Sequence, residues 1–126
     1  MILGKLFPHL LHQFAFEADL VKAVGELSEA FTTDRSKMAR YLSDRRLVSA
    51  YTAFYATTNM PKLEAAFNWL DPVLVESWKD WQLIDVGAGP GTFSLAWLEW
   101  GGTVPPVMLE SAPLMREQAA KIMQGL

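Results

Sequence analysis

Residues 83–96, LIDVGAGPGTFSLA, determine how the rest of this chain is organised. Four residues, 83–86, form an apolar run with one acid and lead directly into a glycine-rich turn at 87–91. Residues 92–100 follow without a helix breaker. A short apolar strand, a glycine turn and a helix start predict the first half of a βαβ unit of the nucleotide-binding type.

The glycines of the turn have distinct expected roles. Gly87 and Gly89 favour positive φ and carry no side chain, so a ligand can approach the backbone there. Gly91 opens the following helix, whose N–H groups and positive dipole end are expected to face the ligand.

The spacing of the glycines distinguishes between ligands. Dinucleotide fingerprints read G-x-G-x-x-G, with a pyrophosphate on the helix N-terminus. Here the pattern is G-x-G-x-G, with Asp85 two residues ahead of the first glycine. Residues 107–110 predict the next strand, which ends in Glu110, 19 residues after Gly91. An acid at about this distance can accept hydrogen bonds from both hydroxyls of a ribose.

The segment from Asp85 to Thr92, DVGAGPGT, resembles motif I of the class I S-adenosylmethionine (SAM) methyltransferases. The resemblance implies a Rossmann-like fold and SAM as cofactor. SAM has no phosphates, and a carboxylate such as Asp85 favours the ammonium of its methionine end. The cofactor-binding residues implied are Asp85, Gly87, Ala88, Gly89, Pro90, Gly91, Thr92 and Glu110. A glycine-rich turn in an unrelated α/β protein is the alternative interpretation.

Length and composition exclude several classes of protein. The 126 residues suffice for one domain, half of them are hydrophobic, and the net charge of −3 argues against a globally basic nucleic-acid binder. Without cysteine, the chain has no disulfide, thiolate nucleophile or cysteine-ligated metal. No clean signal-peptide core or membrane span is found, so we expect a cytoplasmic protein with no membrane partner.

Residues 1–78 are predicted to be a helical N-terminal region and residues 79–126 a partial Rossmann-like SAM-binding domain. Helices are expected near 6–14, 19–31, 36–41, 45–55, 61–70, 73–78, 92–100 and 111–124, with a polar break at 57–59 and Pro61 in a first turn. Asp44 is a candidate N-cap, and Gly101 a helix stop. The expected inward-facing residues are Leu20, Val21, Val24, Leu27, Phe31, Leu47, Ala50, Tyr51, Phe54, Leu63, Ala66, Phe67, Leu70, Leu114, Ala119 and Ile122.

A second resemblance covers roughly residues 45–120. A tyrosine-rich helix at 46–55, the turn Asn59-Met60-Pro61-Lys62-Leu63 and then the glycine motif are similar to the methyltransferase-like proteins of the small ribosomal subunit, bacterial and mitochondrial. This resemblance implies association with small-subunit ribosomal RNA or its assembly. Family members tend to carry metal-binding cysteines further on, and this chain has none.

The chain departs from the family in its extent. A class I methyltransferase sheet has about seven strands, whereas only two are predicted here, and no acceptor-side motif is present. Residues 83–86 read as a central strand that is buried on both faces and lacks one edge partner. We therefore expect a fragment or half of an assembly that is inactive alone and is prone to self-association through the bare edge.

Three other groups of residues have a functional and a structural interpretation. His9 and His12 lack a third metal ligand, and ordinary surface histidines are favoured. The basic segment, defined as Arg35, Lys37, Arg40, Arg45 and Arg46, either contacts RNA together with Tyr41 and Tyr51 or is a solvated face. Packing between the helical region and the sheet is favoured over a ligand cage for the tryptophans, although one of them could flank an adenine; they are Trp69, Trp78, Trp81, Trp97 and Trp100.

Three functions remain open on the sequence. The first is the SAM-binding portion of a methyltransferase acting on or near ribosomal RNA. The second is a non-catalytic, RNA-binding ribosome-assembly factor that uses the same fold. The third is a generic small-molecule methyltransferase with a helical lid. No catalytic residue and no metal ligand is assigned.

Overall fold

The computed structural model describes residues 17–125, without the side chains of Glu17, Met38 and Ala39. The predicted helix near 6–14 and the histidines His9 and His12 lie outside the described residues. The helices are α1 (Glu17–Thr32), α2 (Met38–Tyr41), α3 (Arg45–Tyr51), α4 (Thr57–Phe67), α5 (Pro72–Trp78), α6 (Thr92–Trp100) and α7 (Pro113–Gln124). A 3₁₀ turn, Arg35–Lys37, precedes α2, and a π-helical turn, Thr52–Ala56, joins α3 to α4.

Two short strands form the sheet of this mostly helical molecule. Strand β1 (Ile84–Val86) pairs in parallel with β2 (Val107–Leu109), with Asp85 opposite Met108. The predicted pair of adjacent parallel strands is thereby confirmed. The helical prediction is confirmed from residue 17 to 78, where the structure contains no strand. In the described part of the chain, no helix is both long and apolar enough to span a membrane.

The roles predicted for Asp44 as an N-cap and for Gly101 as a helix stop are confirmed, and Asp71 provides a cap that was not predicted. The Asp44 carboxylate accepts hydrogen bonds from the backbone N–H groups of Arg46 and Leu47 and so caps α3. Asp71 caps α5 in the same way, with Pro72 in the first turn. Gly101 ends α6 with a φ of 118°, a left-handed conformation that glycine adopts without strain.

The predicted break at residues 57–59 and first-turn position of Pro61 are wrong. Pro61 lies inside α4, which continues directly from the π-helical turn. The Thr57 hydroxyl donates to the Ala53 carbonyl at 2.6 Å and the Thr58 hydroxyl donates to the Phe54 carbonyl at 2.8 Å. These hydroxyls bond to carbonyls of the π-helical turn four residues earlier, an arrangement that a continuous helix allows, so Thr57 and Thr58 do not break the helix.

The buried sides of the helices differ in part from the prediction. Val21 is exposed because Ala23, Leu27 and Ala30 form the buried stripe of α1, and Val21 lies on the opposite side. Phe54 is exposed because the π turn adds a residue and moves the buried line to Ala53 and Ala56.

The predictions of buried residues at the end of α4 and in α7 are confirmed only in part. Phe67 is buried as expected, but Ala66 is exposed, as is Leu70, which lies beyond the end of α4. Ala119 and Ile122 are buried as predicted. The sequence pattern missed the buried Met115 and Gln118 of α7 and assigned Leu114, which is only half-buried.

The prediction that the first strand is buried on both faces is wrong for the described residues. Helices α6 and α7 both lie on the side of Asp85 and Met108. The opposite face is exposed, with exposed fractions of 60% for Ile84, 77% for Val86, 44% for Val107 and 52% for Leu109. The bare edge of β1 is as expected, since β2 is its sole partner among residues 17–125.

The tryptophans divide into two groups. Trp97 is buried, and Trp100 stacks on Phe67 with ring centroids 4.9 Å apart, so these two residues pack α6 against α4 as predicted. Trp69 is 90% exposed and Trp81 62% exposed, so the packing role predicted for them is wrong. Trp78 lies against Trp81 in a tilted contact at 6.2 Å.

Candidate ligand groove at the glycine loop

The glycine loop, residues 87–91, is fastened to the end of β2 by its own backbone. The N–H groups of Gly87 and Ala88 both donate to the Leu109 carbonyl, at 2.8 and 3.1 Å. The Gly91 N–H donates to the Ala88 carbonyl at 2.8 Å. The Gly89 N–H donates to Glu110 Oε2 at 2.8 Å, and Pro90 has no N–H. Every N–H group of the loop therefore already has a protein acceptor.

The three glycines of the loop all have positive φ, but the space around each of them differs. At Gly91, with φ of 87°, an added Cβ would lie 3.0 Å from Met108 Sδ, so the small size of Gly91 permits packing against β2. Gly87 and Gly89 have φ of 73° and 55°, and a Cβ at either would meet no atom within 4 Å. The space beside these two glycines is open to a ligand.

The Asp85 carboxylate joins β1 to the start of α6. Its Oδ2 accepts hydrogen bonds from the Ser94 hydroxyl at 2.8 Å and from the Ser94 backbone N–H at 3.2 Å. No hydrogen bond to Oδ1 is present among the described residues. The sequence did not identify Ser94 as the partner of Asp85, since an ordinary serine in the first turn of a helix gives no distinguishing signal.

Glu110 directly follows β2 and accepts hydrogen bonds from two backbone segments. Besides the Gly89 contact, its Oε1 accepts a hydrogen bond from the Ala112 N–H at 2.8 Å, just ahead of α7. Partial burial of Glu110 by itself raises the carboxyl pKa, but the donors Ala112, Gly89 and Ser111 outweigh it and hold the pKa of Glu110 below its ordinary value. The carboxylate is therefore ionised at neutral pH.

An open groove of about 410 Å³ runs beside the glycine loop. One wall consists of Asp85, Gly87, Ala88, Gly89, Pro90, Thr92 and Phe93, and the other of Tyr51, Asn59, Lys62 and Leu63. Six of the eight predicted binding residues line this groove. The other two, Gly91 and Glu110, lie outside the lining, and Glu110 contacts it through Gly89.

The helical wall of the groove contains residues that the sequence pattern did not assign to the site. Asn59, Lys62 and Leu63 belong to the turn-like motif of the second resemblance and are here part of α4. Lys62 Nζ donates to Asn59 Oδ1 at 3.0 Å. Their proximity to the glycine loop depends on how α4 packs on α6, which local sequence does not reveal.

Tyr51 is the aromatic residue on the helical wall. Its ring stacks on Tyr55 at 5.2 Å and on Tyr41 at 5.9 Å, and the edge of Phe31 meets all three rings. Burial, then the nearby Tyr55 and Glu110, raise the pKa of Tyr51 above its ordinary value.

The basic segment is largely neutralised within the chain. Lys37 pairs with Glu29 at 2.9 Å, Arg45 with Glu117 at 2.7 Å and Arg46 with Glu26 at 2.6 Å. No ion pair of Arg35 or Arg40 occurs within residues 17–125. Tyr41 and Tyr51, the predicted partners for base stacking, are already stacked on each other. The segment is thus less free for phosphate contacts than its sequence suggests.

In the described part of the chain, no three side chains of the His, Cys, Asp and Glu types come together in a group that could hold a metal ion.

The chain matches no protein-family model, and it shows no significant similarity to a curated protein or a solved structure. The fold and the groove geometry are therefore the basis for the function proposed below.

Proposed function

We propose that this chain is the SAM-binding portion of a methyltransferase-like protein with a Rossmann-like arrangement of β1, α6, β2 and α7. The observation that carries the proposal is the meeting of a positive-φ glycine loop with Glu110 from the next parallel strand, beside an open groove. Ligands of open α/β sheets bind at the carboxyl ends of the strands, which is where both elements lie.

The loop fits an adenosyl ligand better than a phosphorylated one. A phosphate cradle needs unoccupied backbone N–H groups, whereas every N–H of the loop already has an acceptor. The open space at Gly87 and Gly89 leaves room close to the backbone for a ligand chain with a neutral thioether or a positively charged sulfonium. Bound SAM would supply an electrophilic methyl group for transfer.

The chain's own residues would hold the adenosyl group in specific ways. Asp85, which lines the groove, would attract a cationic group. Glu110 has ordinary carboxylate capacity for about four hydrogen bonds and gives one strong contact each to Gly89 and Ala112, so acceptor sites remain for ribose hydroxyls. Thr92 and Phe93 border the same space at the start of α6.

Association with ribosomal RNA or the small ribosomal subunit belongs to the same proposal and is supported by the motif resemblance. The ion pairs of the basic segment weigh against that segment as the main RNA surface. Charge reversal at Arg35 and Arg40, which have no ion pair among the described residues, is the sharper test. RNA affinity should fall with a shallower salt dependence if these residues contact phosphates.

Titration calorimetry with S-adenosylhomocysteine, NAD and ATP tests the cofactor. We expect S-adenosylhomocysteine to bind more tightly than the other two. Glu110→Ala should weaken its binding by about 1–3 kcal/mol through loss of hydroxyl acceptors, and Gly89→Val should abolish binding by filling the approach to the backbone. Gly25→Val, at an exposed helix position, is the control and should bind normally.

NAD or ATP binding that equals or exceeds that of S-adenosylhomocysteine would overturn the cofactor assignment. Thermal unfolding of each variant without ligand separates a lost contact from a lost fold, which matters for Glu110 because it also holds Gly89 and Ala112. Transfer of labelled methyl from SAM to small ribosomal subunits distinguishes an enzyme from a binding-only assembly factor.

A further inference from the structure

Two opposite charges border the groove without pairing. Lys62 lies on the helical wall and Asp85 on the loop wall. Lys62 Nζ contacts the neutral Asn59 amide oxygen, and Asp85 contacts the neutral Ser94. Within residues 17–125, neither side chain has an oppositely charged group within 4.0 Å, including each other. A cation and an anion therefore share one groove with room between them.

This arrangement is complementary to a ligand that carries both charges on neighbouring atoms. The ammonium and carboxylate of an α-amino-acid group share one carbon, so such a group can satisfy both walls together. A phosphate would meet Lys62 favourably, but it would be repelled by Asp85 and find no free N–H in the loop. Charges held by neutral partners also keep their capacity for a charge-assisted hydrogen bond to the ligand.

We propose that Lys62 binds the carboxylate of an α-amino-acid group whose ammonium faces Asp85. This inference rests on the proposed function, because the methionine end of SAM is a group of that kind. It assigns part of cofactor selectivity to α4 of the helical region. Asn59 is a positioning residue, since its amide oxygen holds the Lys62 ammonium at 3.0 Å.

The test compares two ligands that differ in the amino-acid group. S-adenosylhomocysteine carries it, and 5′-methylthioadenosine shares the adenosyl thioether without it. We expect Lys62→Met to weaken S-adenosylhomocysteine binding about tenfold or more, as for a lost hydrogen bond between charged groups, with 5′-methylthioadenosine binding changed less than about twofold. Lys62→Arg, which keeps the positive charge, should retain most of the affinity for S-adenosylhomocysteine that Lys62→Met loses. Lys22→Met removes the same charge at an exposed position of α1 and should not change the affinity for either ligand.

A second pair of probes separates this inference from the proposed function. L-methionine and L-methioninamide differ at the carboxylate alone, and NMR shifts of the glycine-loop amides report their binding. If both adenosyl compounds bind and Lys62→Met leaves their affinity ratio unchanged, the role of Lys62 is overturned while the cofactor assignment stands. If neither binds but methionine is preferred over methioninamide through Lys62, the amino-acid site stands and the SAM assignment fails. Absence of any Lys62-dependent preference overturns the inference.

Discussion

The two faces of the small sheet have opposite surroundings. On one face, Met108 lies against Gly91 at the start of α6 and near Ala119 of α7, while Asp85 bonds to Ser94. On the other face, Ile84, Val86, Val107 and Leu109 are all exposed. Parallel sheets are stable when both faces are covered. The described residues supply this cover on the side that also builds the groove, and they leave an apolar surface on the other.

On the covered face, stability and ligand binding depend on the same residues. The covered face needs a glycine at position 91, an aliphatic core behind α6 and a short loop fixed to Leu109. The exposed face imposes none of these requirements. Substitutions on the covered face should therefore cost stability, and equivalent ones on the exposed face should mainly alter self-association.

The largest effect is expected at Gly91. Gly91→Val places a β-branched residue at a φ of 87° with its Cβ 3.0 Å from Met108 Sδ. Backbone strain and overpacking together should lower the free energy of unfolding by about 4 kcal/mol or more. Urea unfolding measures this. Gly25→Val, where a Cβ meets nothing within 4 Å, should stay within about 0.5 kcal/mol of the parent chain. Equal losses at both glycines would contradict the packing role of Gly91.

The next effect concerns the core behind α6. Leu95 is fully buried and packs with Ala53, Met60 and Ile122, which come from the helical region and from α7. Leu95→Ala should lower the free energy of unfolding by about 2–5 kcal/mol because it leaves a cavity. Leu74→Ala, at a half-exposed position of α5, is the matched control and should cost about 1 kcal/mol or less.

Adjacent residues of β2 permit a direct comparison of the two faces. Met108→Thr should destabilise by about 1–3 kcal/mol, because it removes the contact with the Gly91 region. Leu109→Thr places a β-branched residue, which suits a strand, on the exposed face and should change stability by about 0.5 kcal/mol or less. Light scattering at increasing concentration should show reduced self-association for Leu109→Thr alone. If the Leu109 variant were the less stable one, the uncovered face would have been misassigned.

The local elements could be predicted from the sequence because short-range chemistry determines them. Asp44 and Gly101 act through hydrogen bonds or φ values within a few residues, and the glycine loop needs its own backbone geometry. One face of the sheet is covered because α6 and α7 both pack against it. A local sequence pattern does not indicate on which face a helix packs.

The same limit explains the groove and the basic segment. Lys62 lies beside the glycine loop because α4 packs on α6, and the helix continues through Pro61 from a π turn upstream. Arg45 is neutralised by Glu117, 72 residues away in the chain. A count of basic residues along the sequence cannot include such partners.

The smallest predicted effect concerns this last pair, which ties α7 on the covered face to α3. Hydrogen bonds from Arg45, then from Lys121, lower the pKa of Glu117 from 4.5 to about 2. A carboxyl whose pKa is lower in the folded chain stabilises the fold above pH 4.5, and this contribution is lost as the pH falls from 4.5 toward 2. Glu117 is exposed to solvent and its partners are screened, so the effect should be small and should shrink further in salt. Urea midpoints of the parent chain and Glu117→Gln should differ at pH 6, and the difference should shrink as the pH falls through 4.5 to about 2 and below, because protonation removes the charge of the glutamate. A difference that is undiminished at pH 2 would mean that packing of the side chain, rather than its charge, joins α7 to the helical region.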